Sequence, residues 1–76
     1  MKFFTILRQN PKRLISINTD LIERIYWEES ESKVRLFLYS QEVLILYPEE
    51  FKLLLKHLYK DNEALQSQLI SYVTEQ

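Results

Sequence analysis

The chain contains no glycine. Neither a phosphate-cradling P-loop nor a dinucleotide-binding fingerprint can be written without that residue. Glycine also supplies positive φ in tight hairpins and helix C-caps. Asn10, Asn18, Asp20, Ser30, Ser32, Ser40 and Asn62 are therefore the residues expected to take those positions, unless the turns avoid positive φ. Cysteine is absent too, which excludes disulfides and thiolate metal sites. With a single histidine, His57, no multi-histidine metal site can be built within one chain. No stretch approaches the ~18 apolar residues of a membrane span. Met1-Lys2-Phe3-Phe4 has the look of a signal-peptide start, but the apolar run stops at Leu7 and Arg8-Gln9-Asn10-Pro11-Lys12-Arg13 follows. The absence of both cysteine and a leader leads us to expect a soluble, cytoplasmic protein.

What is present describes one folded domain over 1–76, with a β part (1–47) and a helical part (48–76). The hydrophobic fraction is 46 % and the aromatic fraction 13 %, too apolar for a disordered chain. Seventy-six residues leave much surface exposed. Domains of this size often lean on a disulfide, a metal or a partner subunit. With the first two excluded, a well-packed core or oligomerisation remains. Net charge is −1, but it is unevenly placed: residues 1–24 carry +3, residues 25–50 carry −4 and residues 51–76 balance. Such a dipolar chain is expected to show ordinary solvated surface, or a charge-complementary interface.

Residues 2–9 read as a first strand that ends at the turn Asn10-Pro11-Lys12-Arg13. A second strand runs from Leu14 to Asn18, with Ile15 and Ile17 on one face and Leu14 and Ser16 on the other. Asn18-Thr19-Asp20-Leu21 then suits a turn or one 3-10 turn, because these side chains bond their own backbone. A third strand spans about Ile22 to Glu29. Clean alternation puts Ile25 and Trp27 on one face and Ile22, Arg24 and Tyr26 on the other. Glu28 to Lys33 is a polar connection, and it lacks the glycine and the acid spacing of a calcium loop.

The organising stretch is Lys33 to Leu58: two apolar strands joined at Ser40-Gln41, then a helix. Val34, Leu36 and Leu38 point one way, and Arg35, Phe37 and Tyr39 the other. In the next strand Val43 and Ile45 oppose Leu44 and Leu46. Such strands ask for cover on both faces, whereas one helix covers one face. Pro48 followed by Glu49 and Glu50 marks the helix start. Phe51, Leu54, Leu55 and Leu58 form its apolar stripe, and Glu49 reaches Lys52 one turn on. Asp61 or Asn62 can cap a second helix. The stripe nevertheless keeps phase through Leu65, Leu69 and Tyr72, so a single helix of about 40 Å is equally compatible. Its distal half would then need a partner.

Catalytic chemistry finds no foothold. Nothing places a nucleophile or an orienting acid beside His57. Adjacent acids on a strand point to opposite faces, and Glu49 and Glu50 are accounted for by the helix dipole. We expect no enzyme, no cofactor and no metal. Tyr26, Phe37, Tyr39 and Tyr47 with Arg24 and Arg35 could make a stacking platform for single-stranded nucleic acid, the contacts then being Arg24, Tyr26 and Arg35. Nearby glutamates cancel the charge such binding needs. Aromatics with a neutral or acidic rim fit a protein interface better.

The segment Ile17-Asn18-Thr19-Asp20-Leu21-Ile22-Glu23-Arg24-Ile25, followed by a polar loop, a hairpin and a terminal helix, resembles the small bacterial flagellar FlbD (SwrD-like) family over about residues 14–60. The resemblance implies a flagellar role. Ser40-Gln41 stands where that family has a glycine-bearing turn, and residues 62–76 have no counterpart in it. The order of sheet then helix is also similar to single-strand-binding transcriptional coactivators, without their basic groove.

The expected fold is therefore α+β: a bent antiparallel sheet of about five strands, open or closed as a small SH3-like barrel, then one long or two short C-terminal helices. The expected function is a non-catalytic protein–protein interaction or regulatory module acting as a homodimer or other homo-oligomer, with a further protein partner. The alternative is single-strand nucleic-acid binding. The residues expected at the interface are Phe37, Tyr39, Leu65, Leu69, Tyr72 and Val73.

Overall fold

A computed structural model of the chain describes residues 2–74. The elements follow the expected order: β1 (Phe3–Arg8), β2 (Arg13–Asn18), β3 (Ile22–Glu28), β4 (Lys33–Leu38), β5 (Val43–Leu46), α1 (Pro48–Leu58) and α2 (Glu63–Thr74). Single 3-10 turns lie over Thr19–Leu21 and Glu29–Glu31. The fold is α+β, with antiparallel sheets and two C-terminal helices. The five strands divide by hydrogen bonding into a β1–β2 pair and a three-stranded sheet in the order β3-β4-β5.

Among the described residues Asn10 at 57°, Ser32 at 50° and Gln41 at 74° stand in for glycine at positive φ. Asn10 and Ser32 are among the expected residues, but Gln41 is not. The short Leu38–Glu42 hairpin sets that backbone whatever residue it holds: Leu38 N–H donates to Glu42 O and Gln41 N–H to Leu38 O. Asn18 acts instead as a cap, its Oδ1 accepting Asp20 N–H at 3.0 Å, and keeps an extended φ of −82°.

In the first hairpin, Phe4 pairs with Ile17 and Ile6 with Ile15. Phe4, Ile6 and Ile17 are buried and Ile15 packs against them. Phe3, Leu7 and Leu14 occupy the outer face and stay exposed. β3 departs from clean alternation. Ile22 pairs with Leu38 and Arg24 with Phe37, so Glu23 is an extra residue in a bulge. A bulge shifts the phase of the side chains behind it. Ile22 consequently packs on the core with Ile25 and Trp27, not on the face of Arg24 and Tyr26 as alternation predicts.

The helix start at Pro48 is as expected. Glu50 Oε1 accepts Tyr47 N–H at 2.9 Å, satisfying a donor just before the first turn. Lys52 Nζ meets Glu49 Oε1 at 3.3 Å. Phe51, Leu54 and Leu55 are buried against Val34, Leu36 and Leu46, and the Trp27 and Phe51 rings stack at 6.4 Å. The open question of one helix or two resolves as two. Asn62 is the cap that ends the continuity: its Oδ1 accepts Leu65 N–H at 3.1 Å, and its own N–H bonds Tyr59 O. The second helix packs against the first and returns Leu69, Ile70 and Val73 to the same core. Both helices therefore lie on the inner side of the strands, where Val34, Leu36, Leu46 and Leu54 are fully buried.

Candidate interaction surface

Because both helices sit inside, the outer face of the three-stranded sheet has no cover among the described residues. Register places two rows across it: Arg24, Phe37 and Val43, then Tyr26, Arg35 and Ile45. Tyr26, Val43 and Ile45 are 47 %, 50 % and 37 % exposed, and Tyr39 at the strand end is 63 % exposed. Phe37 is half-buried by its neighbours. Tyr26 meets it edge-on with ring centroids 5.4 Å apart. The Arg24 guanidinium lies 4.5 Å from the Phe37 centroid and 5.6 Å from that of Tyr26. Arg35 is engaged by Glu31, four residues back, and by Glu28 at 3.9 Å. Of the expected residues, this face thus gathers Arg24, Tyr26, Arg35 and Phe37, with Tyr39 at its end. Val43 and Ile45 join them, although their alternation with Leu44 and Leu46 was the only sign of it in the chain.

The helical members of the expected interface are dispersed. Val73 is 6 % exposed in the chain's own core and Leu69 packs against that core, so the demand for a partner inferred from a long helix is met from within. Leu65 is half-buried. Tyr72 stands 72 % exposed, beside a groove of about 250 Å³ that β3 and α2 line with Ile25, Trp27 and Leu69. A second cleft, of about 540 Å³, separates β2 from β5 and is lined by Ile15, Ile17, Leu38 and Leu44.

His57 is half-buried, its ring 5.7 Å from that of Phe4 at a tilt of 52°. The contact explains it as a boundary residue between α1 and β1. Among the described residues no cluster of three or more histidines and acids is placed to hold a metal ion. No helix among them is long and apolar enough to cross a membrane.

One cluster went unread in the sequence. Arg8, at the end of β1, donates Nε to Glu50 Oε2 and Nη2 to Glu50 Oε1, both at 2.9 Å. Nη2 also donates to Ile45 O at 2.7 Å, and the guanidinium lies 5.1 Å from the Tyr47 centroid. Burial alone pushes the Glu50 carboxyl up. The hydrogen bonds from Arg8 and Tyr47 N–H outweigh it and hold the group below its ordinary range, while the same pairing raises Arg8. Glu50 is explained locally by the helix dipole, so nothing in its neighbourhood points to Arg8. At the other end of the strands Lys2 pairs with Asp20 at 2.8 Å, both side chains exposed.

Comparison of the chain with protein-family models, with curated proteins and with solved structures finds no match in any of the three.

Proposed function

We propose that this protein is a non-catalytic, cytoplasmic interaction module that works as a homo-oligomer and offers its outer sheet face to a protein partner. The observation that carries the reading is the uncovered sheet face that leaves Tyr26, Val43 and Ile45 exposed, with Tyr39 at its end. Apolar strands that a monomer leaves open on one face are the usual sign of a surface completed by another molecule. Its charges are already neutralised in place, Arg35 by Glu31 and Glu28, which suits a protein surface better than a phosphate backbone. In this reading the two sheets form a partly opened, SH3-like barrel. Thr19 N–H to Lys2 O, Tyr39 N–H to Leu21 O and Arg8 to Ile45 O tie its parts together.

Sedimentation equilibrium of the full chain tests the oligomer directly. A species heavier than the monomer at micromolar concentration is expected, and a monomer up to the solubility limit overturns the reading. Single-strand nucleic-acid binding is favoured by one feature, the Arg24 guanidinium over the Tyr26–Phe37 pair. Salt-sensitive binding of mixed-sequence single-stranded DNA or RNA, lost in Arg24→Ala, would put that function in its place.

A further inference from the structure

The three-stranded sheet ends on β5 at one side and on β3 at the other. The two edges differ. Leu38 N–H bonds Glu42 O, whereas Tyr39 N–H bonds Leu21 O. Even-numbered residues of β4 thus turn their backbone groups toward β5 and odd-numbered ones toward β3, as antiparallel ladders alternate. Arg24, Tyr26 and Glu28 pair with Phe37, Arg35 and Lys33 and face β4. Ile25 and Trp27 consequently turn their N–H and C=O groups away from the sheet. Among the described residues no hydrogen bond reaches them. On the shorter β5 edge Val43 and Ile45 also turn their backbone groups outward, but Ile45 O is taken by Arg8, so less of that edge is open. The Glu23 bulge and the 3-10 turn at Glu29–Glu31 limit the open β3 edge to Arg24 through Glu28.

An open edge is a template for another strand, and the side chains on this one are self-complementary. We infer that β3 is the seam of a homodimer, pairing antiparallel with β3 of a second copy about a two-fold axis through Tyr26. This inference rests on the homo-oligomer reading above. In that register Ile25 of one protomer lies opposite Trp27 of the other, so outward-facing groups meet outward-facing groups. Arg24 lies opposite Glu28, twice by symmetry, with the two Tyr26 side chains between them. The long contacts these two make within one protomer, Arg24 to Glu23 at 3.8 Å and Glu28 to Arg35 at 3.9 Å, are loose enough to be shared or exchanged. A shift by one residue sets outward groups against inward ones. A shift by two sets Arg24 opposite Tyr26 or Ser30 and loses both ion pairs. Glu23 and Glu29, which the register would oppose, are carried out of the strand by the bulge and the 3-10 turn. On the inner side, the second copy's edge closes the groove that Ile25, Trp27 and Tyr72 leave open. The two outer faces become one six-stranded surface.

Sedimentation equilibrium of charge variants tests the seam. Arg24→Glu and Glu28→Lys each set like charges opposite one another, and each is expected to raise the dimer dissociation constant about tenfold. The double variant R24E/E28K restores it. An equimolar mixture of the two single variants forms a heterodimer tighter than either homodimer. A second measurement does not depend on charge. The chain has no cysteine, so Tyr26→Cys places one thiol per protomer near the axis, where opposed Cα atoms of a non-hydrogen-bonded pair lie about 4.5 Å apart. It is expected to cross-link on oxidation, while Val43→Cys at the opposite edge remains uncross-linked. If the wild type is an oligomer but both single variants associate normally and Tyr26→Cys does not cross-link, the seam is wrong and the homo-oligomer reading stands. If the wild type is monomeric throughout, both fall.

Discussion

Arg8 and Glu50, forty-two residues apart, are joined by two parallel hydrogen bonds of 2.9 Å with side chains only 19 % and 15 % exposed. A planar guanidinium meeting a carboxylate in this way is the directional form of an ion pair. Its two ends belong to different parts of the fold, the end of β1 and the first turn of α1. It therefore links the first hairpin to the helical layer where no sheet hydrogen bonds do, and Ile45 O adds the edge of β5 to the same tie.

Glu50→Gln is expected to lower stability by about 1–3 kcal/mol at neutral pH. The folded-state carboxyl lies below its unfolded value, so the stabilisation is complete above the ordinary carboxylate range and fades as pH falls through the folded-state value. Urea unfolding of wild type and variant over a pH series should show the two curves converging on acidification. A difference that does not change with pH would mean that ionisation of Glu50 contributes nothing.

Leu53 and Leu54 are neighbours in α1 with opposite surroundings, 58 % and 0 % exposed. Leu54→Ala leaves a cavity against Leu36 and Leu46 and should cost about 2–5 kcal/mol. Leu53→Ala should stay within about 0.5 kcal/mol of wild type. Equal losses in denaturant midpoints would contradict the placement of the helix face.

Asn62 caps the N-terminus of α2, its Oδ1 accepting Leu65 N–H. Asn62→Ala should cost about 1 kcal/mol. Since α2 returns Val73 to the core, the loss should appear in the single cooperative unfolding transition and not as local fraying alone. Circular dichroism and Trp27 fluorescence followed in urea would then give coincident curves.

Gln41 holds φ at 74° without glycine's freedom. Gln41→Gly removes the Cβ clash of that conformation, which outweighs the greater entropy of the unfolded chain, for a net gain of about 0.5–1 kcal/mol. An unchanged or lowered urea midpoint would show that the hairpin carries no such strain.

Local chemistry was legible wherever a residue's role is settled within a turn or two of the chain. Pro48 with Glu49 and Glu50 marks a helix start, Phe51, Leu54, Leu55 and Leu58 mark its apolar stripe, and Asn18-Thr19-Asp20-Leu21 marks a 3-10 turn because such side chains reach their own backbone. The outer-face members Arg24, Tyr26, Arg35 and Phe37 followed from alternation, since a strand has only two sides. Ile22 escaped because a bulge is a property of the pairing between two strands, and β3 alone carries no mark of it. Val73 escaped because a continuous stripe reads identically in one straight helix and in two folded back on each other.

The sequence by itself determined the kind and order of the elements, the absence of phosphate loops and thiolate sites, and an excess of apolar strand surface over what one helix can cover. Periodicity, caps and residue inventory act over short distances and survive without the fold. Only the tertiary structure decided that the strands split two and three, that the second helix turns back onto the first, and that Arg8 finds Glu50. Each depends on which segments meet in space, and the free energy that selects them comes from contacts between residues far apart in the chain. That is also why the open edge of β3, with Arg24 and Glu28 two places either side of Tyr26, becomes visible only once β4 has taken the other edge.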